Sequence, residues 1–308
     1  MKYSNNIVLI ESPVQIRTFV RFSKMYGVDF SKCMIVIRLN GVEKNDSQII
    51  EIIKKNNINN YHYFTANRND NLRVLFLTIK TLIMIFVSKS TCSCIFIGDF
   101  YSKWMNIIVN LFNFSHTLYL DDGLSTVSAY RDSIEEGRKC LFITEFNLPS
   151  AGECKVKMIR TERKKKKIKY KTCLVVGMPM VENEALKNPN VYIDYLIDIK
   201  NRFEGFDFEY IPHRYEGKGK IEKIKSIGYE INNLKSSVEE YIDAMPIIPE
   251  KIISLYSTAL IYLDLGYEGG GIYSYSICLD EINVKFRRSA ELSYSYIRDR
   301  TEILMIEK

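Results

Sequence analysis

The stretch Ile7-Val8-Leu9-Ile10-Glu11-Ser12-Pro13-Val14-Gln15 joins a short apolar run to a helix start. Four consecutive apolar residues, three of them β-branched, are typical of a buried strand. Ser12 before Pro13 is a common helix N-terminus, because serine caps the helix and proline needs no amide partner in the first turn. This stretch therefore predicts a strand followed directly by a helix, the first half of a βαβ unit.

The same alternation continues through the N-terminal half of the chain. Short apolar runs, separated by longer amphipathic stretches, predict strands at 34–37, 61–64, 94–98 and 117–120. Strands that alternate with helices indicate βαβ units around a parallel sheet. Ligands of such sheets bind beyond the carboxyl ends of the strands.

A polar, basic segment around 152–171 interrupts the pattern, which then restarts. Strands are predicted at 173–176, 208–211 and 252–255, and a last strand over 277–286. The fold class that follows is α/β, with two Rossmann-like βαβ domains facing a central cleft. The predicted boundaries are 1–155 for the first domain, 156–171 for a basic linker and 172–308 for the second domain.

The composition agrees with a folded two-domain protein. The chain has 308 residues, of which 46% are hydrophobic and 26% charged, with a net charge of +6. This excludes a disordered chain, a collagen-like chain and a coiled coil. Seven cysteines at scattered positions form no disulfide framework, and the odd count favours a reducing compartment.

No segment of the sequence reads as a leader or as a membrane span. The first apolar run is too short for a signal peptide, and the apolar stretch 74–87 is too short to cross a bilayer and contains Lys80. We predict a core helix for 74–87, with interfacial membrane contact as the alternative. The expected location is cytoplasmic, with peripheral association with the inner membrane left open.

The densest positive charge is the run Arg163 to Lys167, followed by Lys169 and Lys171. A solvated linker is the simple interpretation. Attraction of Lys164–Lys167 to an anionic membrane surface is the functional alternative, because each lysine near such a surface contributes about 1 kcal/mol. We do not expect nucleic acid as a partner, since no aromatic side chains interleave with the basic ones.

Asp121-Asp122-Gly123 follows the predicted strand 117–120 directly. Asp-Gly is a common turn, so a purely structural role is one interpretation. Two neighbouring carboxylates at the end of a strand are the other, because repulsion between them can raise the pKa of one toward that of a general base. The second aspartate, which a turn does not require, favours the functional interpretation.

His213 lies after the predicted strand 208–211, between Pro212 and Arg214. A structural histidine is one interpretation. A His-Arg pair at a sheet edge also suits an anionic leaving group, because arginine supplies fixed positive charge and histidine a proton near neutral pH. A metal is not expected here, since no second histidine or cysteine lies at ligand spacing.

The segment 254–260 places Ser254, Ser257 and Thr258 where a strand passes into a helix. Such hydroxyls cap the helix, and together with the amides of its first turn they can bind an anion. The two roles are compatible, and we expect a phosphate at this position.

Four blocks in this order resemble the bacterial sialyltransferases of lipooligosaccharide and capsule, the family-52-like glycosyltransferases. The blocks are 7–15, the Asp-Asp-Gly of 121–123, the Tyr-Ile-Pro-His-Arg-Tyr-Glu of 210–216, and 254–260. The segment that opens the family's second domain is similar to 177–183, with Glu182 at the position of an acidic residue. The usual His-Pro-Arg-Glu is altered here, because Arg214 replaces its proline and Tyr215-Glu216 replaces its Arg-Glu.

The resemblance implies a GT-B glycosyltransferase that inverts the anomeric centre without a metal or other cofactor. Its donor would be CMP-sialic acid and its acceptor a terminal sugar, commonly galactose, on a surface glycan. Asp121, Asp122 or Glu182 would be the base and His213 would assist the leaving phosphate. Further substrate-binding positions would be Gly123, Gly177, Pro212, Arg214, Glu216, Ser254, Ser257 and Thr258.

Two other functions remain open at this level. The donor could carry another CMP-activated nonulosonic or ulosonic acid, since recognition of CMP would be common to all of these donors. The substitution at Arg214 also leaves open an inactive relative that binds CMP or a glycan without turnover. The sequence does not fix the acceptor, the linkage or the oligomeric state, and a homodimer is one option.

Overall fold

A computed structural model describes residues 6–67, 70–87, 94–112, 114–159, 162–234 and 236–307. The chain divides into two compact units, Met1–Ile159 and Arg160–Lys308, called unit 1 and unit 2 below. Each unit is built around its own parallel sheet. The α/β class with two Rossmann-like domains is therefore confirmed.

The described part of unit 1 alternates strands and helices along almost its whole length. Its strands are β1 (Asn6–Ile10), β2 (Cys33–Leu39), β3 (Tyr61–Thr65), β4 (Cys94–Ile97), β5 (His116–Leu120), β6 (Cys140–Thr144) and β7 (Cys154–Met158). Its helices are α1 (Pro13–Tyr26), α2 (Glu43–Lys55), α3 (Asn71–Val87), α4 (Lys103–Leu111) and α5 (Ser125–Glu135), besides a short 3-10 turn at Phe30–Lys32.

The strand order in unit 1 is β3-β2-β1-β4-β5-β6-β7, with parallel pairing throughout. The chain moves outward from β1 to β3 and then returns to pair β4 with the other side of β1. Because such crossovers are right-handed, α1 and α2 cover one face of the sheet and α3 and α4 the other. The fully buried residues of β1 and β2 form the centre of the core.

The described part of unit 2 repeats this plan on a smaller sheet. Its strands are β8 (Lys164–Lys165), β9 (Lys167–Val176), β10 (Asp207–Ile211), β11 (Glu230–Ile231), β12 (Ile247–Ser254), β13 (Tyr267–Glu268), β14 (Gly271–Tyr275) and β15 (Leu304–Ile306). Its helices are α6 (Val191–Arg202), α7 (Lys218–Ser226), α8 (Val238–Ala244), α9 (Thr258–Gly266) and α10 (Val284–Arg300), besides a 3-10 turn at Leu279–Glu281.

The main sheet of unit 2 has the order β11-β10-β9-β12-β14-β15, again parallel, and β13 pairs with β8 beside it. β9 is therefore central, between β10 and β12. Its last five residues are buried, whereas its first five are largely exposed. The carboxyl ends of β10, β9 and β12 consequently lie side by side at one edge.

Two sequence predictions about chain organisation are wrong. In place of a basic linker over 156–171, β7 ends at Met158 and β8 and β9 occupy most of the rest. The backbone of Lys167, Ile168 and Lys169 pairs with β12, so the basic residues belong to a strand. In place of a last strand over 277–286, the described chain makes a 3-10 turn and then begins α10 at Val284. Ile277 and Ile282 gave the segment the apolar content of a strand. In the structure each side chain packs into the core of unit 2 from a non-strand segment.

The apolar stretch 74–87 is a helix, as predicted, but it is not a core helix. Only Leu77, Thr78, Thr81 and Ile85 of α3 are buried, and most of its other apolar side chains are exposed. Within the described residues, no helix is both long and apolar enough to cross a membrane.

Candidate functional site

The start of α1 carries an amide that faces back toward β1. Ser12 caps the helix, with its Oγ accepting from the backbone N–H of Gln15 at 3.4 Å. The side-chain Oε1 of Gln15 in turn accepts from the backbone amides of Ser12 at 3.1 Å and Glu11 at 2.7 Å. This reciprocal capping box satisfies amides that would otherwise lack partners at the helix end, and it fixes the Gln15 side chain.

The other end of the same amide reaches the carboxyl end of β5. Nε2 of Gln15 donates to Oδ1 of Asp122 at 2.8 Å. β4 lies between β1 and β5, so the side chain must pass over the residue that follows β4, which is Gly98. A Cβ on Gly98 would lie 2.5 Å from Cδ of Gln15 and 2.9 Å from the carbonyl oxygen of Leu9. Only glycine leaves room for this contact.

Three side chains hold the carboxylate of Asp122. Besides Gln15, the hydroxyl of Ser12 donates to Oδ1 at 3.2 Å and that of Ser125 donates to Oδ2 at 3.2 Å. Its backbone N–H donates to Oγ1 of Thr126 at 2.8 Å. Gly123 makes the turn into α5 with a φ of 70°, a conformation that favours glycine. Asp122 is half-buried, and these hydrogen bonds fix its side chain at the sheet edge.

Asp121 is in a different environment from its neighbour. Its side chain is fully buried, and Oδ2 accepts from the backbone N–H of Glu145 at 2.8 Å. Burial raises the pKa of Asp121 to about 8, against the lowering effect of hydrogen bonds from Thr144 and Glu145. Glu145 is itself paired with Arg21. The structure thus separates the two aspartates into a buried carboxyl and an accessible carboxylate.

A buried ion pair lies next to this edge. The guanidinium of Arg38 on β2 pairs with the carboxylate of Glu11, and both side chains are almost completely buried. Arg38 also donates to the carbonyl oxygen of Ala66 at 3.0 Å. The segment 7–15 therefore contributes three separate polar anchors at Glu11, Ser12 and Gln15.

In unit 2, the predicted motifs follow three neighbouring strands. Gly177 comes after β9, Pro212 and His213 come after β10, and Ser257 and Thr258 follow β12. Parallel neighbours are about 4.8 Å apart, so the ends of β10 and β12 are about 10 Å apart. The sheet order therefore brings these residues to one edge.

The ring of His213 has a defined orientation. Its Nδ1 accepts from the backbone N–H of Tyr215 at 3.3 Å, and its own backbone N–H donates to Oε2 of Glu216 at 2.9 Å. An acceptor at Nδ1 leaves the proton of a neutral imidazole on Nε2. Beside it, Nε of Arg214 is buried without a hydrogen-bond partner among the described residues. Its guanidinium lies 5.4 Å from the ring of Tyr215.

A buried polar network lies beneath this histidine. Oε1 of Glu216 accepts from the hydroxyl of Tyr210 at 2.8 Å, and the same carboxylate pairs with Lys220 on α7. Lys220 also donates to the carbonyl oxygen of Met178 at 2.8 Å, and the hydroxyls of Tyr210 and Tyr192 are 2.9 Å apart. Burial raises the pKa of Glu216, and the charge of Lys220 opposes this shift. Glu216 is thus a support for the 213–217 turn.

Glu182 belongs to the same network. Its Oε1 accepts from the backbone N–H of Gly217 at 2.9 Å, and its Oε2 lies 3.5 Å from Nζ of Lys220. Both contacts tie the segment after β9 to the start of α7. Gly177 is required by this packing, since a Cβ there would lie 2.5 Å from the Tyr210 hydroxyl and closer still to Glu216.

The hydroxyls of the 254–260 segment have two different environments. Ser254 is buried and donates to the carbonyl oxygen of Val176 at 2.6 Å, which joins the ends of β12 and β9. Ser257 caps α9 by accepting from the backbone N–H of Ala259 at 3.2 Å, and Thr258 begins the helix. Both residues are half-buried.

Several residues that form these two edges are not identified by the sequence motifs. They are Gly98, Ser125, Thr126, Glu145, Tyr192, Tyr210 and Lys220. The only available signal was position after a strand or one turn into a helix, which applies to Gly98 and Ser125. Among the described residues, no group of three or more His, Cys, Asp or Glu side chains is arranged to hold a metal ion.

Two Rossmann-like units of this kind, each with polar residues at the carboxyl edge of its sheet, define the GT-B class of glycosyltransferase fold. The chain is similar to MurG from Acinetobacter baumannii, with a TM-score of 0.52 and 9% identity over 98% of this chain and 86% of that one. It is also similar to the α/β-galactoside α-2,3-sialyltransferase from Photobacterium phosphoreum, with a TM-score of 0.50 and 12% identity over 99% of both chains.

A third similar structure is a putative UDP-N-acetylglucosamine 2-epimerase from Listeria monocytogenes, with a TM-score of 0.53 and 7% identity over 97% of this chain and 89% of that one. No protein-family model and no curated protein sequence matches the chain. The similar structures include glycosyltransferases, one of them a sialyltransferase, and establish the GT-B fold. Because one fold hosts several reactions, the reaction must be argued from the site.

Proposed function

We propose that the chain is an inverting sialyltransferase, which transfers sialic acid from CMP-sialic acid to a terminal sugar, galactose, of a bacterial surface glycan. The observation that carries the proposal is the carboxylate of Asp122, held by Gln15, Ser12 and Ser125 at the sheet edge of unit 1. The four motif blocks and the similarity to a sialyltransferase structure support the choice of donor.

Asp122 is the proposed base. A base must be accessible and must reach the proton that it accepts. Asp121 is fully buried, and its carboxyl has the raised pKa of a group that resists ionisation. Glu182 is engaged by the backbone of Gly217 and by Lys220. Asp122 is the half-buried one of the two aspartates and has its orientation fixed by three donors.

Unit 2 supplies the groups for the donor phosphate. Nε2 of His213 carries the proton of the neutral ring and would donate it, or a hydrogen bond, to the leaving phosphate oxygen. Arg214 would supply fixed positive charge, and the hydroxyls and amides at Ser257 and Thr258 would bind the remaining oxygens. No metal or other cofactor is needed for this set of contacts.

The proposed step is one displacement. The acceptor hydroxyl oxygen forms a bond to the anomeric carbon of sialic acid while the bond from that carbon to the phosphate oxygen of CMP breaks. The hydroxyl proton passes to Asp122, and the negative charge of the leaving CMP is met by His213 and the groups beside it. The configuration at the anomeric carbon inverts, since a single displacement occurs.

Ligand binding tests the donor class. CMP is expected to raise the melting temperature of the chain, whereas UDP and GDP at equal concentration leave it unchanged, because a ligand that binds only the folded state stabilises it. Stabilisation by UDP or GDP in place of CMP contradicts the proposed donor class.

Turnover tests the reaction. Release of CMP from CMP-sialic acid, measured with and without a galactoside, is expected to depend on the acceptor. Asp122→Asn is expected to lower this rate by about 10²–10⁴-fold. Glu51→Gln, an exposed carboxylate on α2 of the same unit, is the matched control and should retain the rate. CMP binding without acceptor-dependent release would instead identify a binding protein, and release from only another CMP-activated acid would correct the donor.

A further inference from the structure

Helix α3 presents an apolar surface away from the core of unit 1. Its exposed apolar side chains, called the α3 face below, are Leu72, Leu75, Phe76, Ile79, Ile83, Phe86 and Val87. Their exposed fractions range from 47% for Ile79 to 81% for Leu72. A contiguous set of this kind on a protein surface marks an interaction site.

The spacing of these residues places them on one side of the helix. At about 100° per residue, positions 72, 75, 76, 79, 83, 86 and 87 fall within about 120° of the helix circumference, which is one helical face. The buried residues Leu77, Thr78, Thr81 and Ile85 occupy the opposite side. The helix has 17 residues and is therefore about 25 Å long. The more apolar side of α3 is thus the outer one.

Helix α4, which packs against α3, extends this surface. Ile107 and Leu111 of α4 are 44% and 63% exposed. Trp104, Met105 and Ile108 point into the core instead. Two neighbouring helices on one face of the sheet therefore expose apolar side chains together.

The charged residues of α3 and α4 themselves are all positive. Arg73 and Lys80 of α3 and Lys103 of α4 are exposed, and neither helix contains an aspartate or glutamate. Nζ of Lys80 lies 4.6 Å from the centre of the Phe64 ring, which places it at the border of the face. Asp70, before the helix, pairs with Arg73 at 3.2 Å. Apolar side chains bordered by cations match a surface that is apolar inside and anionic at its boundary.

We propose that the α3 face is a membrane-docking surface that lies in the boundary between the headgroups and acyl chains of an anionic bilayer. A helix with one broad apolar side and bordering cations binds there by burying its apolar side chains and by attracting anionic lipid. The proposal does not depend on the transferred sugar. It assigns membrane contact to α3 of unit 1, which the sequence offers as the alternative to a core helix, and not to the basic run of unit 2.

The basic run is engaged within unit 2. Lys164 pairs with Asp243, and Nζ of Lys165 lies 3.6 Å from Glu268. Nζ of Lys166 donates to three backbone carbonyl oxygens at the end of α8. Lys166 is therefore held by the end of α8, and Lys164 and Lys165 each have an acidic neighbour that offsets their charge, which favours α3 as the element that meets lipid.

Vesicle binding by the full chain tests the proposal. The chain is expected to float with phosphatidylcholine vesicles that contain phosphatidylglycerol, and to bind vesicles of phosphatidylcholine alone at least tenfold more weakly. The double variant Ile79→Ser, Phe86→Ser is expected to bind the anionic vesicles at least tenfold more weakly than the native chain. Val284→Ser, Tyr170→Ser is the matched control, because these side chains are 76% and 77% exposed in unit 2.

A spectroscopic measurement keeps the test independent of the stability of the double variant. In a Cys92→Ser, Cys278→Ser background, which removes Cys92 and the one exposed cysteine among the described residues, Ile79→Cys carries a polarity-sensitive fluorophore. Its emission is expected to shift to the blue on anionic vesicles, whereas the same label at Val284→Cys should not respond.

Two results would overturn the proposal. One is vesicle binding that is equal for the native chain and the Ile79, Phe86 variant, with no response of the label at position 79. The other is the absence of vesicle binding together with a native dimer that this variant converts to monomer, measured by light scattering. The second result would identify another copy of the chain as the occupant of the α3 face.

Discussion

Nε2 of Gln15 and Oδ1 of Asp122 are 2.8 Å apart, although the two residues are separated by 107 positions in the sequence. The same side chain completes the capping box of α1 through its oxygen. One amide therefore begins the first helix and orients the proposed base. Gly98 makes this contact possible, since any side chain there would displace Gln15.

Gln15→Glu separates these two roles. The variant keeps the oxygen that accepts from the backbone of Glu11 and Ser12 but replaces the donor to Asp122 with a second negative charge. Like charges favour protonation of one carboxylate, so the acid limb of the pH–rate profile is expected to move to higher pH. The profile is measured as acceptor-dependent CMP release. Gln48→Glu on α2 is the control, and an unchanged profile for Gln15→Glu would show that its amide does not act on the base.

Asp121 makes stability depend on pH. The pKa of the buried carboxyl is about 8, whereas an unfolded aspartate titrates near a pH of about 4. Between these values the folded state holds a proton that the unfolded state has lost, so the free energy of unfolding falls as pH rises toward 8. Asp121→Asn is neutral throughout and should reduce this fall.

Urea unfolding at several pH values in that window measures the effect. The exposed Asp299→Asn serves as the control and should follow the native chain. A native slope that persists in Asp121→Asn would show that other groups cause the pH dependence.

Gly177→Ala is expected to destabilise unit 2 by about 1–3 kcal/mol, because a methyl group there would overlap Tyr210 and Glu216. Gly219→Ala on α7 is a matched control, since nothing lies within 4 Å of its added carbon. Alanine is also the better helix former, so this control should be neutral or slightly stabilising. The free energies of unfolding of the two variants are compared by denaturant titration. Equal values would mean that the segment after β9 can move aside.

Lys220→Met leaves the carboxylate of Glu216 without its countercharge. The two side chains are 8% and 0% exposed, and removal of one partner from a buried ion pair costs about 3–5 kcal/mol. Lys223→Met on the exposed side of α7 should cost less than about 0.5 kcal/mol. Adding Glu216→Gln to Lys220→Met should recover part of the loss. If it does not, the contact of Lys220 with the Met178 carbonyl is the dominant interaction.

The sequence predicts best where a local signal sets the structure. The apolar run and the capping serine of 7–15 predict β1 and the start of α1. In the same way, Ser257, which lies between β12 and α9, is predicted to cap the helix and does so. His213 follows β10 as expected. These features depend on residues only a few positions apart, for which hydrogen bonding and backbone preferences suffice.

Features that depend on distant residues were not predicted. The roles of Gln15 and Lys220 follow from contacts across the sheet edge, which periodicity does not encode. The exposure of α3 was also missed, because apolar residues occupy nearly its whole circumference and the pattern does not reveal which side meets the core. In the 277–286 segment, apolar spacing imitated a strand although α10 begins at Val284.

The strand order of unit 1 has a consequence for synthesis of the chain on the ribosome. β1 is made first but pairs on one side with β4, whose residues Ile95–Ile97 follow far later in the sequence. At a rate of about 5–20 residues per second, β1 waits on the order of ten seconds with one apolar edge unpaired. Until β4 emerges, the unpaired edge of β1 can pair with the exposed strand of another chain, so this interval is when unit 1 is most prone to aggregation.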